Sequence, residues 1–194
     1  MSRNEPNLDE RLLRLARTAG HTPARERAVA RFSKLGEHGG VWLAIGMAGQ
    51  TLDRPRRTGW RRAMGSVAGA YVLNTAIKPI VGRRRPSMAD LPALTGTPTG
   101  LSFPSAHAST SFAGALAYSR LGLPAGPLYA LAVGLALSRL YLGVHHPSDI
   151  LAGALLGTVV AAGLSGGPAA GGSPPDGALA RTLARARVTP ETES

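Results

Sequence analysis

The sequence predicts an all-α protein, a polytopic membrane helix bundle with about five transmembrane helices and an amphipathic N-terminal helix. Composition points to this class first. Hydrophobic residues make up 44% of the 194-residue chain and charged residues only 17%. The 25 glycines are spread through apolar stretches rather than gathered in a linker, and glycine is commoner in membrane helices than in soluble ones. Mean hydropathy is +0.02 because two polar ends offset an apolar middle.

Segment length is the second observation. A bilayer core of ~30 Å needs about 20 apolar residues per helix, and five segments approach that length. The first is the least certain, and the last two are the clearest. Many residues in these segments are Ala, Gly or Ser, which let helices approach closely, so we expect a compact bundle. The predicted spans are Gly39–Leu52, Ala63–Val81, Ala108–Leu121, Pro124–Gly143 and Ile150–Leu164.

The segments outside the spans are polar. Leu8–Ala19 (LDERLLRLARTA) predicts a short amphipathic helix, and two interpretations stay open, a helix on the membrane surface or a solvated tail. We assign residues 1–38 to an N-terminal basic segment, 39–165 to the membrane-embedded domain and 166–194 to a Gly/Pro-rich disordered tail. Residues 82–104 contain four prolines without helical periodicity and are predicted to be a functional loop.

Charge and cysteine content exclude several functions. Lys and Arg number 22 against 11 Asp and Glu, which gives a net charge of +11. In a soluble protein that balance would suggest a nucleic-acid partner. The apolar middle opposes this, and the basic residues between Arg54 and Arg62 fit a topology signal better. We therefore predict membrane lipids as surroundings and no nucleic-acid partner. The chain has no cysteine, which excludes disulfides and thiolate chemistry.

Polar residues near membrane depth are functional candidates, and here they fall in three places. Lys78 and the following arginines end the second span, and Ser105 and His107 begin the third. Arg139, His145 and Asp149 lie between the fourth and fifth. Because an even number of crossings separates these places, all of them can meet on one membrane face.

The residue types suggest phosphate chemistry. Lys and Arg with few acidic neighbours form an oxyanion site, and two histidines supply a nucleophile and a proton donor. Asp149, four residues after His145, would lie one helical turn away and orient the imidazole. A metal site is less favoured, because Asp90 and Asp149 are the only nearby carboxylates.

Three blocks of the sequence carry a specific resemblance to a known family. The first block is KPIVGRRRP (Lys78–Pro86), the second is PSAH (Pro104–His107) and the third is SRLYLGVHHPSD (Ser138–Asp149). In this order and spacing they resemble the type 2 phosphatidic acid phosphatase family, whose superfamily includes acid phosphatases and vanadium haloperoxidases. The stretches EHGGVWLAIGM and LSFPSAHAST look like a small high-GC bacterial branch. That branch includes enzymes assigned to decaprenylphosphoryl-5-phosphoribose phosphatase activity in arabinan precursor synthesis.

The resemblance implies a role for each matching residue. His145 would attack phosphorus and form a phosphohistidine, oriented by Asp149, while His107 would protonate the leaving oxygen and then activate water. It implies no metal and no organic cofactor. Ala106 departs from the glycine usual in the family, which would matter if this position required positive φ. The implied phosphate-binding residues are Lys78, Arg85, Ser105, Ala106 (through backbone N–H groups) and Arg139.

Taken together, these features predict a multi-pass cell-membrane phosphatase acting on a polyprenyl or glycerolipid phosphate. Two alternatives stay open, a vanadate-dependent haloperoxidase and a non-catalytic membrane scaffold. Basic residues near the span ends favour a pocket that faces outward. The sequence leaves the lipid and the oligomeric state open.

Four residues outside the matched positions also carry expectations. Trp42 and Trp60 lie near predicted span ends, where interfacial aromatic belts are expected. For Arg83 two roles stay open, an interfacial anchor or a contact with the substrate phosphate. His146 lies outside the pattern and is predicted to be a loop residue that helps to shape the pocket.

Overall fold

A computed structural model describes residues 7–164, and within that range the chain forms helices and loops. The predicted disordered tail lies outside the described residues. One isolated antiparallel bridge joins Arg84 and Leu101, and no longer strand occurs between residues 7 and 164. The helices are α1 Leu8–Thr18, α2 Pro23–Lys34, α3 Gly40–Leu52, α4 Arg57–Val81, α5 Ala106–Ser119, α6 Ala125–Tyr141 and α7 Pro147–Leu164, with short 3-10 turns at Glu37–Gly39 and Arg54–Arg56.

Helix α1 lies where the amphipathic pattern predicts it. Asn7 caps it by accepting a hydrogen bond from the Glu10 backbone N–H at 2.9 Å. Neither sequence interpretation anticipated how it docks. Leu13 and Arg17 are buried against the rest of the protein, and the Arg17 guanidinium donates to the carbonyl oxygens of Pro92 and Tyr141. These hydrogen bonds hold α1 against the 82–104 loop and the end of α6.

Helix α2 was not predicted. Its polar composition and many arginines look like part of a basic tail, yet Thr22 caps it and Pro23 occupies its first turn. Ser33 on its last turn is fully buried. The helix packs against α6, so a segment assigned by sequence to the N-terminal region contributes to the helix bundle.

Helices α3 to α7 fall within a few residues of the predicted spans. Helix α5 lies at the centre and contacts α4, α6 and α7. Small residues make this packing possible, since a Cβ at Gly157 of α7 would lie 2.0 Å from the backbone oxygen of Ser109 in α5. Trp42 and Trp60, which sequence placed in an interfacial belt, are instead buried around Tyr118 in the core.

The predicted number of spans is only partly reflected in helix length. Among residues 7–164, α7 is the one helix long and apolar enough to cross a membrane, judged by length and composition. Helices α3 and α5 have 13 and 14 residues. The arrangement nevertheless brings the C-terminal ends of α4 and α6 and the N-terminal ends of α5 and α7 together at one end of the bundle, where the three sequence blocks meet.

Candidate active site

A pocket of about 390 Å³ opens at this end of the bundle. It draws residues from all three sequence blocks, as the even number of crossings between them predicts. The second and third blocks enter through the start of α5 and the turn between α6 and α7. The block residues that line it are Lys78, Arg85, Ala106, His107, Arg139 and His145.

The cations are held by backbone carbonyl groups and one hydroxyl. The Lys78 Nζ donates to the Pro104 carbonyl oxygen at 2.8 Å. Arg85 donates through Nε to Thr99 O and through Nη1 to Val144 O, both at 2.8 Å. The Nη1 of Arg139 donates to Ser33 Oγ at 2.8 Å. Because none of these partners is a carboxylate, the three positive charges remain available to an anion in the pocket.

His145 is oriented by groups on both sides of its ring. Its Nε2 lies 3.2 Å from Nη1 of Arg85. Since arginine only donates, Nε2 carries the lone pair, and the proton belongs to Nδ1. That nitrogen lies 3.4 Å from Asp149 Oδ2, a long contact. The pKa of His145 falls to about 4, chiefly through burial, with Asp149 opposing the change and Arg85 and Arg139 adding to it. The imidazole is therefore neutral near pH 7, as a nucleophile must be.

Asp149 is fully buried and accepts from several groups. Its Oδ2 accepts from the His146 backbone N–H at 2.8 Å, and its Oδ1 accepts from Arg83 Nη1 at 2.9 Å. The carbonyl oxygen of the same residue accepts from the Ser105 backbone N–H at 2.9 Å. His146, expected to shape the pocket, does not line it and instead contacts Asp149 through Nδ1 at 3.3 Å.

His107 is fixed by helix α2. Its Nε2 lies 3.0 Å from the Ser33 carbonyl oxygen. A carbonyl only accepts, so Nε2 carries the proton and Nδ1 is the basic nitrogen in this arrangement. The same Ser33 holds Arg139 through its hydroxyl, so one residue of α2 positions two residues of the pocket.

Ser105 and Ala106 lie at the start of α5, but they differ in access. Ser105 is fully buried, does not line the pocket, and its hydroxyl has no hydrogen-bond partner among residues 7–164. Ala106 lines the pocket as the first residue of the helix, where backbone N–H groups lack intrahelical acceptors and favour an anion. Ala106 does not have positive φ, so the departure from glycine brings no backbone strain.

Sequence reasoning missed the role of Arg83. It allowed a membrane anchor or a phosphate contact, yet Arg83 bridges two carboxylates. Nη1 donates to Asp149, and Nη2 donates to Asp9 of α1 at 2.8 Å. Ser148 joins the cluster through hydrogen bonds to both Arg83 and Asp9. Nothing in the run of three arginines distinguishes this one, because its partner lies 74 residues earlier.

Among residues 7–164, no three His, Asp or Glu side chains are grouped so that they could hold a metal ion. The block residues that line the pocket supply three cations, a helix N-terminus and two histidines. These groups fit a tetrahedral oxyanion and a proton donor for its leaving group.

Comparison with known proteins agrees with this chemistry. The PAP2 superfamily profile matches residues 59–168. A Mycolicibacterium smegmatis protein named decaprenylphosphoryl-5-phosphoribose phosphatase is 44% identical over 131 residues, 66% of this chain and 68% of the relative. The crystal structure of Aquifex aeolicus LpxE is similar with a TM-score of 0.71 and 25% identity, over 84% of this chain and 98% of LpxE.

A second solved structure is also similar to this chain. It is a transmembrane PAP2-type phosphatidylglycerolphosphate phosphatase from Bacillus subtilis, with a TM-score of 0.64 and 25% identity. The match covers 81% of this chain and 83% of the other.

The Arg83 bridge generates a prediction. Replacing Arg83 with Gln removes a charged hydrogen bond to Asp149, worth about 10- to 100-fold in rate when such a bond positions a reacting group. We expect kcat for a phosphomonoester to fall by that factor while KM stays within about twofold. Steady-state kinetics in detergent measure both constants.

The neighbouring Arg84→Gln serves as the matched control, because the Arg84 side chain is exposed and makes no hydrogen bond or ion pair among residues 7–164. It should behave like the wild type. A large rise in KM for Arg83→Gln, with kcat preserved, would instead make Arg83 a phosphate ligand.

Proposed function

The chain belongs to the PAP2 superfamily, and on that premise we propose that it is a metal-independent membrane phosphatase that hydrolyses lipid phosphates. One observation carries the proposal. The pocket brings His107 and His145 together with Lys78, Arg85 and Arg139. Between residues 7 and 164, these three cations bond to carbonyl and hydroxyl oxygens and form no ion pair with a carboxylate. Phosphoryl transfer asks mainly for charge neutralisation and positioning, and these groups supply both.

The proposed reaction has two steps. The lone pair of His145 Nε2 attacks phosphorus and the bond between phosphorus and the leaving oxygen breaks. His107, which takes up a second proton on Nδ1 when the anionic substrate is bound, gives that proton to the leaving oxygen. His107 then takes a proton from water, whose oxygen attacks the phosphohistidine and releases inorganic phosphate. Asp149 stabilises the Nδ1–H of His145 throughout. The phosphate oxygens are bound by Lys78, Arg85, Arg139 and the N–H groups at the start of α5. The Ser105 hydroxyl, which is buried and does not line the pocket, could contact phosphate only after a local rearrangement.

The outer faces of the bundle support a multi-pass membrane protein. Leu151, Leu155 and Val159 follow one another at four-residue intervals on α7 and are 72%, 66% and 59% exposed. Val72 and Ile80 on α4 and Val133 and Leu137 on α6 are exposed as well. Apolar surface of this extent is unfavourable in water and fits lipid. We propose that α3 to α7 cross the membrane and that α1 and α2 lie at one interface.

The relatives suggest the substrate. By name, the Mycolicibacterium smegmatis relative removes phosphate from decaprenylphosphoryl-5-phosphoribose. We propose a polyprenyl-linked phosphosugar of this kind as the substrate, which would give the protein a role in the synthesis of cell-wall arabinan precursors. The haloperoxidase and scaffold alternatives are not favoured, since the named relatives are phosphatases.

The first test concerns the two histidines. His145→Ala removes the only proposed nucleophile and should lower kcat by about 10⁴-fold or more. His107→Ala should also be severe with a lipid alcohol as leaving group. With an activated aryl phosphate the first step should recover much of its rate, because the oxygen leaves without protonation, and hydrolysis of the phosphoenzyme should then limit turnover. Release of the alcohol in the first turnover, followed on both substrates, measures this.

Thermal unfolding in detergent verifies that each variant is folded. Should a folded His145→Ala keep more than about a tenth of the activity, well above the loss expected for a missing nucleophile, then His145 is not the nucleophile and His146 is the next candidate.

Metal independence is tested by chelation. Activity should survive excess EDTA, because the positive charge in the pocket comes from side chains. Orthovanadate should inhibit, since it adopts the five-coordinate geometry of the phosphorus under attack. Activity that disappears with EDTA and returns with magnesium would rule out the metal-free mechanism.

Orientation follows from the distribution of charge. Arg54, Arg56, Arg57, Arg61 and Arg62 lie at the end of the bundle opposite the pocket, and short loops rich in arginine stay in the cytoplasm. We therefore propose that the pocket faces outward.

The orientation is tested by labelling single introduced cysteines, which is specific because the natural chain has no cysteine. In intact cells, Ser87→Cys in the pocket loop should react with a membrane-impermeant maleimide, while Thr58→Cys should not. The opposite labelling pattern would put the pocket in the cytoplasm.

A further inference from the structure

Most of the residues that line the pocket lie outside the three blocks. The end of α2, the turn that follows it and the middle of α4 form one wall of the pocket. Its residues are Ala30, Lys34, Glu37, His38, Tyr71 and Thr75. The proposed mechanism assigns none of them a task, although all except Ala30 carry polar groups suited to hydrogen bonding with neutral hydroxyls.

The turn has an unusual backbone. His38 has φ 51° and ψ 20°, and it is the one non-glycine residue between residues 7 and 164 with positive φ. Gly39 follows with φ 74°. A non-glycine residue in the left-handed region is strained, and such strain is concentrated at functional sites. Glu37 and His38 of this turn both line the pocket.

The turn is fixed directly against the proposed catalytic residues. A Cβ at Gly36 would lie 2.9 Å from Cδ2 of His107, so the backbone of the turn packs on that imidazole. The Val41 backbone N–H donates to Leu35 O at 2.8 Å and closes the turn. A ligand atom leaving the phosphate site next to His107 would therefore meet this wall.

The polar groups of the wall form an ordered set. His38 Nδ1 lies 2.9 Å from the Tyr71 hydroxyl, and the two rings meet edge to face. Glu37 is exposed to the pocket, and its carboxylate makes no hydrogen bond or ion pair of its own among residues 7–164. The exposed carboxylate can accept hydrogen bonds from two neighbouring hydroxyl groups, and the imidazole or the phenol beside it can donate to a third.

We propose that Glu37 and His38, with Tyr71, form a subsite for the hydroxyl groups of a sugar that links the scissile phosphate to the lipid. This inference rests on the proposed phosphatase function and specifies its substrate class. A glycerolipid phosphate such as phosphatidic acid has ester groups at that place and offers no hydroxyl to the carboxylate. A phosphorylated pentose with free vicinal hydroxyls offers two.

Two matched probes test the subsite. One is farnesylphosphoryl-5-phosphoribose, and the other is its 2,3-dideoxy counterpart, which has the same charges and the same lipid. A site that hydrogen-bonds substrate hydroxyls discriminates strongly against an analogue that lacks them. We expect wild-type kcat/KM to be at least about 10-fold higher for the ribose probe, the range of a hydrogen bond to a charged group.

Variants of the turn should remove that preference selectively. Glu37→Ala should lower kcat/KM for the ribose probe about 10-fold and change it less than about twofold for the dideoxy probe. His38→Gly retains a residue suited to positive φ and removes the imidazole, and it should act in the same direction. Glu10→Ala, an exposed glutamate on α1, is the matched control and should match the wild type on both probes.

The outcomes separate the two proposals. If the wild type hydrolyses both probes equally well, or if Glu37→Ala lowers both rates by the same factor, the subsite is refuted while the phosphatase proposal stands. In the second case Glu37 acts on the phosphate-binding residues rather than on the sugar. If the wild type hydrolyses neither probe and no other lipid phosphate, the phosphatase proposal fails and the subsite with it.

Discussion

The buried carboxylate of Asp149 organises this end of the molecule. It receives a hydrogen bond from the backbone N–H of His146 and an ion pair from Arg83, and it faces the ring of His145. Its own carbonyl oxygen fixes the start of α5 through Ser105. Burying a charge away from solvent costs free energy unless the charge is paired and hydrogen-bonded. The fold must therefore bring all of these groups around the carboxylate at once. The same requirement connects α1 to the pocket, because Arg83 also binds Asp9.

The packing of small residues makes that convergence possible. Helix α5 approaches α7 so closely that Gly157 has no room for a methyl group. Helices α4, α6 and α7 all pack against α5. Lys78, Arg85 and Arg139 then lie within one pocket, where they donate hydrogen bonds to carbonyl or hydroxyl oxygens, and Arg85 also to His145. Mutual repulsion among Lys78, Arg85 and Arg139 is relieved when a phosphate dianion enters. The site therefore favours an anion before any chemistry begins, and it places a neutral His145 beside it.

The sequence predicted most of the bundle and the residues of the three blocks, because both leave local signals. Apolar length marks the spans, and the spacing between Lys78 and Arg85 or between His145 and Asp149 is short. Helix α2 was missed because its arginine-rich polar sequence resembles a solvated tail. It contributes to the site through Ser33, which contacts His107 and Arg139. Arg83 and Asp9 are 74 residues apart, so no local pattern reveals the pair. Trp42 and Trp60 were misplaced since nearness to a span end does not determine which way a ring points, and both rings point into the core.

The central claim is that His145, held between Asp149 and Arg85, becomes phosphorylated during turnover. It is tested most directly by quenching the His107→Ala enzyme during turnover of an activated aryl phosphate, whose oxygen leaves without protonation, and mapping the phosphoryl group by mass spectrometry. That variant lacks the proposed base for the second step, so the intermediate should accumulate as an acid-labile, alkali-stable phosphohistidine. The account predicts the phosphoryl group on His145 and none when His145 is also replaced by Ala. Phosphoryl transfer to His146 or to any other residue, or turnover without a phosphoenzyme, would contradict it.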